Sequence, residues 1–317
     1  MTAKVAVIAI GGNSLVKGKG HESIADQYQG IHETCGHIAG LAEQGWTVAI
    51  GHGNGPQVGF VLRRSEIARQ VAGMHEIPLD VCGADTQGAT GYMLQQNLYN
   101  EFLARGIHQQ VATIITQVEV DRHDPAFQSP SKPIGSFMSE EEALARKEKD
   151  GWSVVKDAAH GWRRVVPSPL PKRVVELPVI QALIGLGACV ITVGGGGIPV
   201  IAAEQGRLQG IAAVIDKDYA SALLANAIGA ELLIISTAVQ QIALNYGKPD
   251  QRWLQRLTLA EAKAQMAAGT HFAAGSMGPK VQASIWFLER GGQRAVITNP
   301  ENITRALRGE TGTTIAR

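Results

Sequence analysis

Three lysines of the sequence stand in contexts that favour the binding of an anion. Lys132 lies in a proline-rich stretch, Lys217 lies between two aspartates, and Lys280 lies at a predicted helix N-terminus. A lysine at that end of a helix opposes the helix dipole, so its charge suits a bound anion better than it suits the helix. Any one of them alone could be a solvated surface lysine. Together, three fixed positive charges suit phosphoryl transfer, which spreads negative charge over the transferring oxygens.

Glycine-rich loops are a second sign of anion binding. Glycine accounts for 37 of the 317 residues. Three loops rich in glycine each follow an apolar run directly: Gly11-Gly12-Asn13-Ser14, Gly51-His52-Gly53-Asn54-Gly55-Pro56 and Gly194-Gly195-Gly196-Gly197. Glycine lets backbone N–H groups approach an oxyanion closely, and the helix predicted to begin at Pro56 would direct its positive end to the same place. These loops predict a site for a phosphate-like anion.

The apolar runs themselves predict the architecture that positions these loops. Runs without polar alternation are typical of parallel strands covered on both faces. They are Val5–Ile10, Thr47–Ile50, Val111–Thr116, Cys189–Val193, Glu231–Ser236 and Ala295–Thr298. Helical patterns separate them; one helix is expected to start at the capping box of Thr258 and Glu261, and others at Pro56 and Pro279. The prediction is an open three-layer α/β/α sandwich with a mainly parallel central sheet, whose ligands bind outside the carboxyl ends of the strands.

Residues 119–176 interrupt this alternation and predict an inserted subdomain, called the lid subdomain below. It combines a proline-rich loop, a charged helix from Ser139 to Asp150, and a hairpin that pairs Ser153–Lys156 with Arg163–Val166. A long insertion without a strand of the main sheet is typical of a functional segment. Lys132 belongs to this insertion.

Composition and missing motifs exclude several other classes of protein. The net charge of +1 argues against nucleic acids and acidic membranes as partners. No uninterrupted apolar run is long enough to span a membrane, and Cys35, Cys82 and Cys189 are too scattered for a disulfide framework or zinc site. We therefore expect a reduced, cytoplasmic protein. The sequence also lacks the P-loop, dinucleotide-binding, zinc-protease and nucleophile-elbow motifs.

Ten longer segments, in order, resemble the carbamate kinase family, which has the amino-acid kinase fold. They are Ile10–Ser14, Gly51–Gly59, Thr116–Asp121, Asp124–Phe127, Lys132–Gly135, Arg163–Pro169, Gly194–Val200, Ala213–Asp218, Asn245–Pro249 and Gly275–Lys280, with His271 as a further match. The resemblance implies the reaction ATP + carbamate ⇌ ADP + carbamoyl phosphate, with Mg2+ held mainly by the nucleotide phosphates rather than by a protein metal site. It also implies a homodimer and a role in nitrogen or arginine catabolism, often in the direction of ATP synthesis.

The resemblance also implies a role for individual residues. The carbamoyl phosphate end would be held by Gly11, Gly12, Asn13, Gly53, Asn54 and Gly55, together with Gly195 and Gly196. Lys132, Lys217 and Lys280 would neutralise phosphates, with Lys132 arriving when the lid subdomain closes. Asp216 would orient the lysines. Tyr246 and Met277 would flank the nucleotide near Thr237. Residues 1–317 would form one domain, with a carbamate-binding lobe at 1–208 that includes the lid subdomain and a nucleotide-binding lobe at 209–317.

Three departures from the family pattern leave two alternatives open. The changed segment from Asp85 to Thr90 is consistent with a kinase for another small carboxylate. Ala238 and Ala212 stand where relatives carry acidic residues, which is consistent with a nucleotide- or carbamoyl phosphate-binding protein of low activity. Arginine fermentation, purine or allantoin breakdown and cyanate metabolism could each supply carbamoyl phosphate.

Overall fold

The computed structural model describes residues 4–12, 15, 23–54, 56–157, 161–269, 271–272 and 277–317. Its α-helices are α1 (Ile24–Ala42), α2 (Gln57–Ala72), α3 (Leu79–Ala104), α4 (Glu140–Asp150), α5 (Leu177–Gly185), α6 (Lys217–Ala227), α7 (Leu259–Ala268), α8 (Met277–Glu289) and α9 (Ile303–Leu307). Its strands are β1 (Lys4–Ile10), β2 (Trp46–His52), β3 (Val111–Thr113), β4 (Gln117–Val120), β5 (Lys132–Met138), β6 (Ser153–Asp157), β7 (Gly161–Val166), β8 (Pro171–Val174), β9 (Cys189–Ile191), β10 (Ile198–Ala202), β11 (Leu208–Gly210), β12 (Leu232–Ser236), β13 (Ile242–Leu244), β14 (Arg252–Leu254), β15 (Arg256–Thr258), β16 (Arg294–Thr298) and β17 (Thr313–Ala316).

The central sheet is mainly parallel, as the apolar runs predict. Within the described residues its eight strands run in the order β15-β17-β16-β12-β1-β2-β9-β3. The strands from β16 to β3 are mutually parallel, and β17 pairs antiparallel with β16. Each predicted run overlaps one of these strands, although the run from Val111 leaves the sheet after Thr113. The strands β15 and β17 were not predicted, because arginine and threonine interrupt their apolar character.

Two apolar layers cover the sheet and make the three-layer sandwich. Val7 and Ala9 of β1 pack in the cluster that includes the helices α6 and α8. Ile8, the next residue on the opposite face, packs in the cluster that includes α1 and α3. This alternation follows from the two-residue period of a strand, and burial on both faces explains why the strand sequences are continuously apolar. All three cysteines are free and buried, in agreement with a role in packing.

Helix starts agree with the sequence at two positions and differ at a third. Thr258 and Glu261 form the expected capping box at the start of α7, and Pro56 directly precedes α2 with helical backbone angles. The prediction that Pro279 opens a helix is wrong, because α8 already contains Met277 and Gly278. Lys280 still lies in the first described turn of α8. Among the described residues, no helix is long and apolar enough to cross a membrane.

The inserted segment contributes to two smaller sheets. Its ends, β4 and β8, pair in a sheet of order β11-β10-β4-β8, while β5, β7 and β6 form a separate sheet that carries α4. The predicted hairpin is confirmed as β6 and β7. Two chain segments connect these sheets, residues 121–131 and 167–170, and they are called the stalk below. Polar contacts hold the stalk and the adjoining strands β4 and β8 together. Arg173 lies 2.7 Å from Glu119, Lys172 lies 2.6 Å from Asp121, and the N–H group of residue 170 donates to an Asp124 oxygen at 2.9 Å.

Candidate active site

The three glycine-rich loops meet at the carboxyl ends of β1, β2 and β9. The Gly53 N–H group donates to the Ile10 carbonyl at 2.9 Å. A Cβ atom added to Gly53 would lie 3.0 Å from the Gly12 nitrogen, and one added to Gly195 would lie 3.1 Å from the Asn54 side-chain nitrogen. These short distances show that the first loop packs against the second and that the second packs against the third. The structure therefore brings together the predicted anion-binding residues that it describes, while Asn13 and Gly55 lie outside the described residues.

The third loop has a backbone that side chains rarely adopt. Gly195 and Gly196 have φ angles of 65° and 93°, and Val193 just before them has a φ of 44°. A left-handed conformation is a genuine outlier for a β-branched residue, and such strain is concentrated at functional sites. A Cβ atom on Gly196 would lie 2.3 Å from the Ile215 carbonyl oxygen. This contact places the loop directly against the chain that leads into Asp216.

Gln87 of α3 supports the same loop, and the sequence analysis did not identify it. Its side-chain nitrogen donates to the carbonyls of Thr116 and Gly194 at 3.0 and 2.9 Å. Its side-chain oxygen accepts from the Thr116 N–H group at 2.8 Å. Gln87 is buried and belongs to the segment from Asp85 to Thr90, whose sequence departs from the family pattern. In this structure that residue contacts the loop backbone, so part of the segment serves to hold the third glycine-rich loop.

A buried carboxylate joins two of the predicted lysines. One oxygen of Asp218 lies 2.5 Å from the Lys217 Nζ, and the other lies 2.8 Å from the Lys280 Nζ. The Asp218 side chain is only 2% exposed. Asp216 caps α6 by accepting from the Asp218 N–H group, so the first turn of this helix fixes both aspartates. Lys217 also lies beside the second glycine-rich loop, with its Cδ 3.4 Å from a Cβ atom added at Gly53.

The third lysine reaches this cluster from the lid subdomain. The Lys132 Nζ lies 2.6 Å from an Asp216 oxygen. The expectation that Asp216 orients the lysines therefore applies to Lys132, whereas Asp218 makes the direct contacts with Lys217 and Lys280. Asp218 was missed as a candidate residue, although its place in the Asp216-Lys217-Asp218 run was a signal. The run itself does not show which aspartate pairs with which lysine, because that choice depends on the tertiary fold.

Burial and charge act in opposite directions on these groups. Burial alone would raise the pKa of Asp218, but the two ammonium groups beside it hold its pKa well below the ordinary value. Burial lowers the pKa of Lys217, and nearby Asp218 opposes that shift while Lys280 adds to it. Asp218 is thus kept as a carboxylate, and its charge opposes the effect of burial on Lys217. The result is a preorganised cation pair at the sheet edge.

His52 ends β2 and is a buried neutral residue. Its Nδ1 donates to the Gly53 carbonyl at 2.9 Å. The other ring nitrogen packs on the third loop, because a Cβ atom added at Gly194 would lie 2.4 Å from it. Burial lowers the pKa of His52 to about 4, and the charge of Lys217 adds to that shift. The ring therefore spaces the second and third loops as a neutral group.

The low pKa of His52 predicts a loss of stability in mild acid. Its folded pKa lies below the unfolded value of 6.5. The neutral ring's contribution is therefore fully present above pH 6.5 and is lost as the pH falls towards 4. We expect the free energy of unfolding to fall by on the order of 3 kcal/mol more over this range than in His52→Asn, which keeps a donor but cannot titrate. Urea unfolding at several pH values measures this difference, and parallel pH profiles for the two proteins would contradict it.

The residues expected near the nucleotide come from three separate segments. Thr237 follows β12, and its N–H group donates to the Thr298 carbonyl at 2.8 Å. Tyr246 lies in the turn between β13 and β14, is 66% exposed, and meets Trp253 edge to face. Met277 lies one turn before Lys280 on α8 and packs against the core. Their contact with a nucleotide stays a prediction. Within the described part of the chain, no cluster of three or more His, Cys, Asp or Glu side chains could hold a metal ion.

Comparison with known proteins agrees with the fold. The amino acid kinase family model matches residues 4–299. A carbamate kinase of Thermococcus kodakarensis is 49% identical over 315 residues, and a carbamate kinase-like protein of Escherichia coli is 46% identical over 315 residues; each alignment covers 99% of both chains. The solved carbamate kinase of Giardia lamblia bound to AMP-PNP is 40% identical, covers 99% of both chains and superposes with a TM-score of 0.91. The chain therefore belongs to the amino acid kinase family and, within it, to the carbamate kinases.

Proposed function

We propose that the protein transfers a phosphoryl group between a nucleotide and carbamate, in the reaction ATP + carbamate ⇌ ADP + carbamoyl phosphate. The observation that carries this proposal is the contact of Lys217 and Lys280 with one buried carboxylate, Asp218, beside the converging glycine-rich loops. The family membership supports it, since the relatives named above include carbamate kinases and a structure with a bound ATP analogue.

The lysines supply the electrostatic part of this reaction. Phosphoryl transfer spreads negative charge over the equatorial oxygens of the group in flight, so catalysis consists mainly of positioning and charge stabilisation. Lys217 and Lys280 are held within hydrogen-bonding distance of the same carboxylate before any substrate enters. Little reorganisation is then needed when the phosphates arrive.

Lys132 would join the other two lysines by exchanging partners. In the structure it contacts Asp216, which lies next to Lys217 and caps the same helix. An incoming phosphate oxygen would replace the Asp216 carboxylate as the partner of Lys132. The lid subdomain would thereby place a third positive charge on the transferring group and help to exclude water from it.

The proposed acceptor explains why the site needs no general base. A carbamate oxygen is already ionised and can attack phosphorus without losing a proton. His52, the imidazole nearest the loops, is buried and donates to the Gly53 carbonyl, so it is occupied in holding the loop. Backbone N–H groups of the glycine-rich loops would bind the carbamoyl phosphate end, and Mg2+ would enter with the nucleotide as part of the substrate.

The division of the chain follows from the same proposal. Residues 1–208, with the lid subdomain at 119–176, would bind carbamate and its phosphate, and residues 209–317 would bind the nucleotide near Thr237, Tyr246 and Met277. A homodimer is also part of the proposal. The exposed side chains of Tyr92, Tyr99 and Leu103 on α3 are consistent with a surface that a second copy would cover.

The test is ATP formation from ADP and freshly prepared carbamoyl phosphate in the presence of Mg2+. We expect rapid ATP formation by the purified protein. A panel of small carboxylates assayed with ATP, in the reverse direction, tests the identity of the acceptor. A carboxylate that clearly outperforms carbamate would replace it in the proposal, and ADP binding without turnover of any acceptor would favour a binding protein.

A further inference from the structure

Glu66 of α2 is a buried carboxylate that faces the lid subdomain, outside the cluster described above. Its side chain is 6% exposed. One oxygen lies 3.7 Å from an Arg146 nitrogen of α4, and the other lies 4.0 Å from an Arg164 nitrogen of β7. Arg63 of the same helix lies 3.4 Å away. A buried carboxylate is costly unless cations balance it, and two of its three cations belong to the lid subdomain.

Trp152 joins the two lid arginines into one unit. The guanidinium carbon of Arg164 lies 4.4 Å from the centre of its ring, and that of Arg146 lies 5.0 Å away. Burial lowers the pKa of Arg164, and the charge of Glu66 opposes that shift. Arg146 also pairs with Asp150 of its own helix at 2.9 Å, and Glu66 is the carboxylate that links both guanidinium groups to α2. Glu66, Arg146, Trp152 and Arg164 are called the α2 anchor below.

A backbone contact connects the α2 anchor to Lys132. A Cβ atom added to Gly59 of α2 would lie only 2.3 Å from the Gly135 Cα of β5. Gly135 has a φ of 70° and stands three residues after Lys132 on the same strand. Its carbonyl also accepts from Arg163 of β7 at 3.0 Å. The face of α2 that carries Glu66 thus lies against the strand that carries Lys132.

Next to Glu66, the contact between α2 and the lid subdomain leaves room for movement. A cavity of about 130 Å3 is lined by residues that include Gly59, Glu66, Gly135 and Arg164. Arg63 of the same helix donates to the carboxylate at 3.4 Å, whereas the nitrogens of the two lid arginines lie 3.7 and 4.0 Å from it, beyond hydrogen-bonding distance. Charge attraction across a partly filled contact can hold the subdomain without locking it.

We propose that Glu66 is a positioning residue, which holds the lid subdomain through Arg146 and Arg164 so that Lys132 reaches the transferring phosphoryl group. This inference rests on the proposed function and adds a residue remote from the reacting atoms. α2 begins at the second glycine-rich loop and carries Glu66 in its third turn. One helix therefore sets the distance between the phosphate-binding loop and the lid lysine.

The test compares Glu66→Gln in two backgrounds. In the otherwise wild-type protein we expect kcat for ATP formation to fall about 10-fold, with KM for ADP unchanged, because a displaced lysine weakens the transition state. In Lys132→Ala the same substitution should change kcat by less than about 2-fold, since no lid ammonium remains to be positioned. Arg63→Gln is the matched control; it removes a cation of Glu66 but leaves both lid arginines, and it should stay near the wild-type rate.

Amide hydrogen exchange gives a readout that does not depend on activity. Glu66→Gln should speed exchange in residues 132–138 and 161–166, and leave residues 232–236 of the central sheet unchanged. If Glu66→Gln fails to fold, Arg164→Gln removes the contact from the other side and carries the same expectations. An equal fall of kcat in both backgrounds, or unchanged exchange in the lid subdomain, would overturn the inference. If the wild-type protein forms no ATP, the proposed function fails, and the exchange rates alone decide whether Glu66 holds the lid subdomain.

Discussion

Replacing Lys217 or Lys280 by alanine is expected to lower kcat for ATP formation by about 10²-fold or more. Both ammonium groups lie on the same buried carboxylate, so each substitution removes one of the two charges that we propose to act on the phosphoryl group. The two losses should not multiply in the double variant, because the lysines share Asp218 and would act on one group.

Lys263→Ala is the matched control for the lysine variants. Lys263 also forms an ion pair with an acidic residue, lying 2.7 Å from Glu289 of α8, but its side chain is 55% exposed and the pair stands on the surface. Its removal should leave kcat within about 2-fold of the wild-type value. Near-normal rates in both Lys217→Ala and Lys280→Ala would refute the role assigned to the cation pair.

The largest effect on stability is expected from Asp218→Asn. Removing one partner of a buried ionic cluster leaves the remaining charges without compensation, which costs about 3–5 kcal/mol of unfolding free energy. The exposed counterpart, Glu289→Gln, should cost less than about 1 kcal/mol. Urea unfolding at neutral pH compares the two. Similar small losses would show that the lysines around Asp218 are well solvated.

Both the stabilisation by Asp218 and the activity left after its replacement should depend on pH. Asp218 holds a folded pKa below its ordinary value of 3.8, so its stabilisation is present above that value and is lost as the solution becomes more acidic. In Asp218→Asn, burial lowers the pKa of Lys217 without the opposing carboxylate. We therefore expect the alkaline fall of any residual activity to begin at lower pH than in the wild-type protein.

The sequence predicted those parts of the site that depend on local pattern. Gly11, Gly53 and Gly195 were identified because each follows a buried apolar run, and parallel strands place such positions at one sheet edge. Lys280 was identified because a positive charge at a helix start is unusual unless an anion is bound nearby, and Lys217 was identified because it lies between two aspartates. The central strands were predicted for a similar reason, since burial on both faces imposes continuous apolarity.

Residues that act across the fold could not be found in this way. Asp218 contacts Lys280 because α6 and α8 pack together, and the sequence does not show that packing. Gln87 lies in the Asp85–Thr90 segment that departs from the family pattern, but a departure does not reveal the partners of a side chain, and Glu66 lies at a position where the sequence shows nothing unusual. The partners of both residues stand far along the chain. The antiparallel pairing of β17 with β16 also depends on which sheet edge is free when the chain returns.

The stalk of the lid subdomain has a consequence for the entropy of closure. Beyond its cross-links, its two segments contain Pro130, Pro167 and Pro169, and each proline fixes its own φ angle. The connection therefore has fewer backbone torsions to lose when the subdomain packs against α2, and less conformational entropy opposes that packing. A contact as loose as the α2 anchor can then suffice to place Lys132. A glycine-rich connection of equal length would need much stronger contacts to give the same placement.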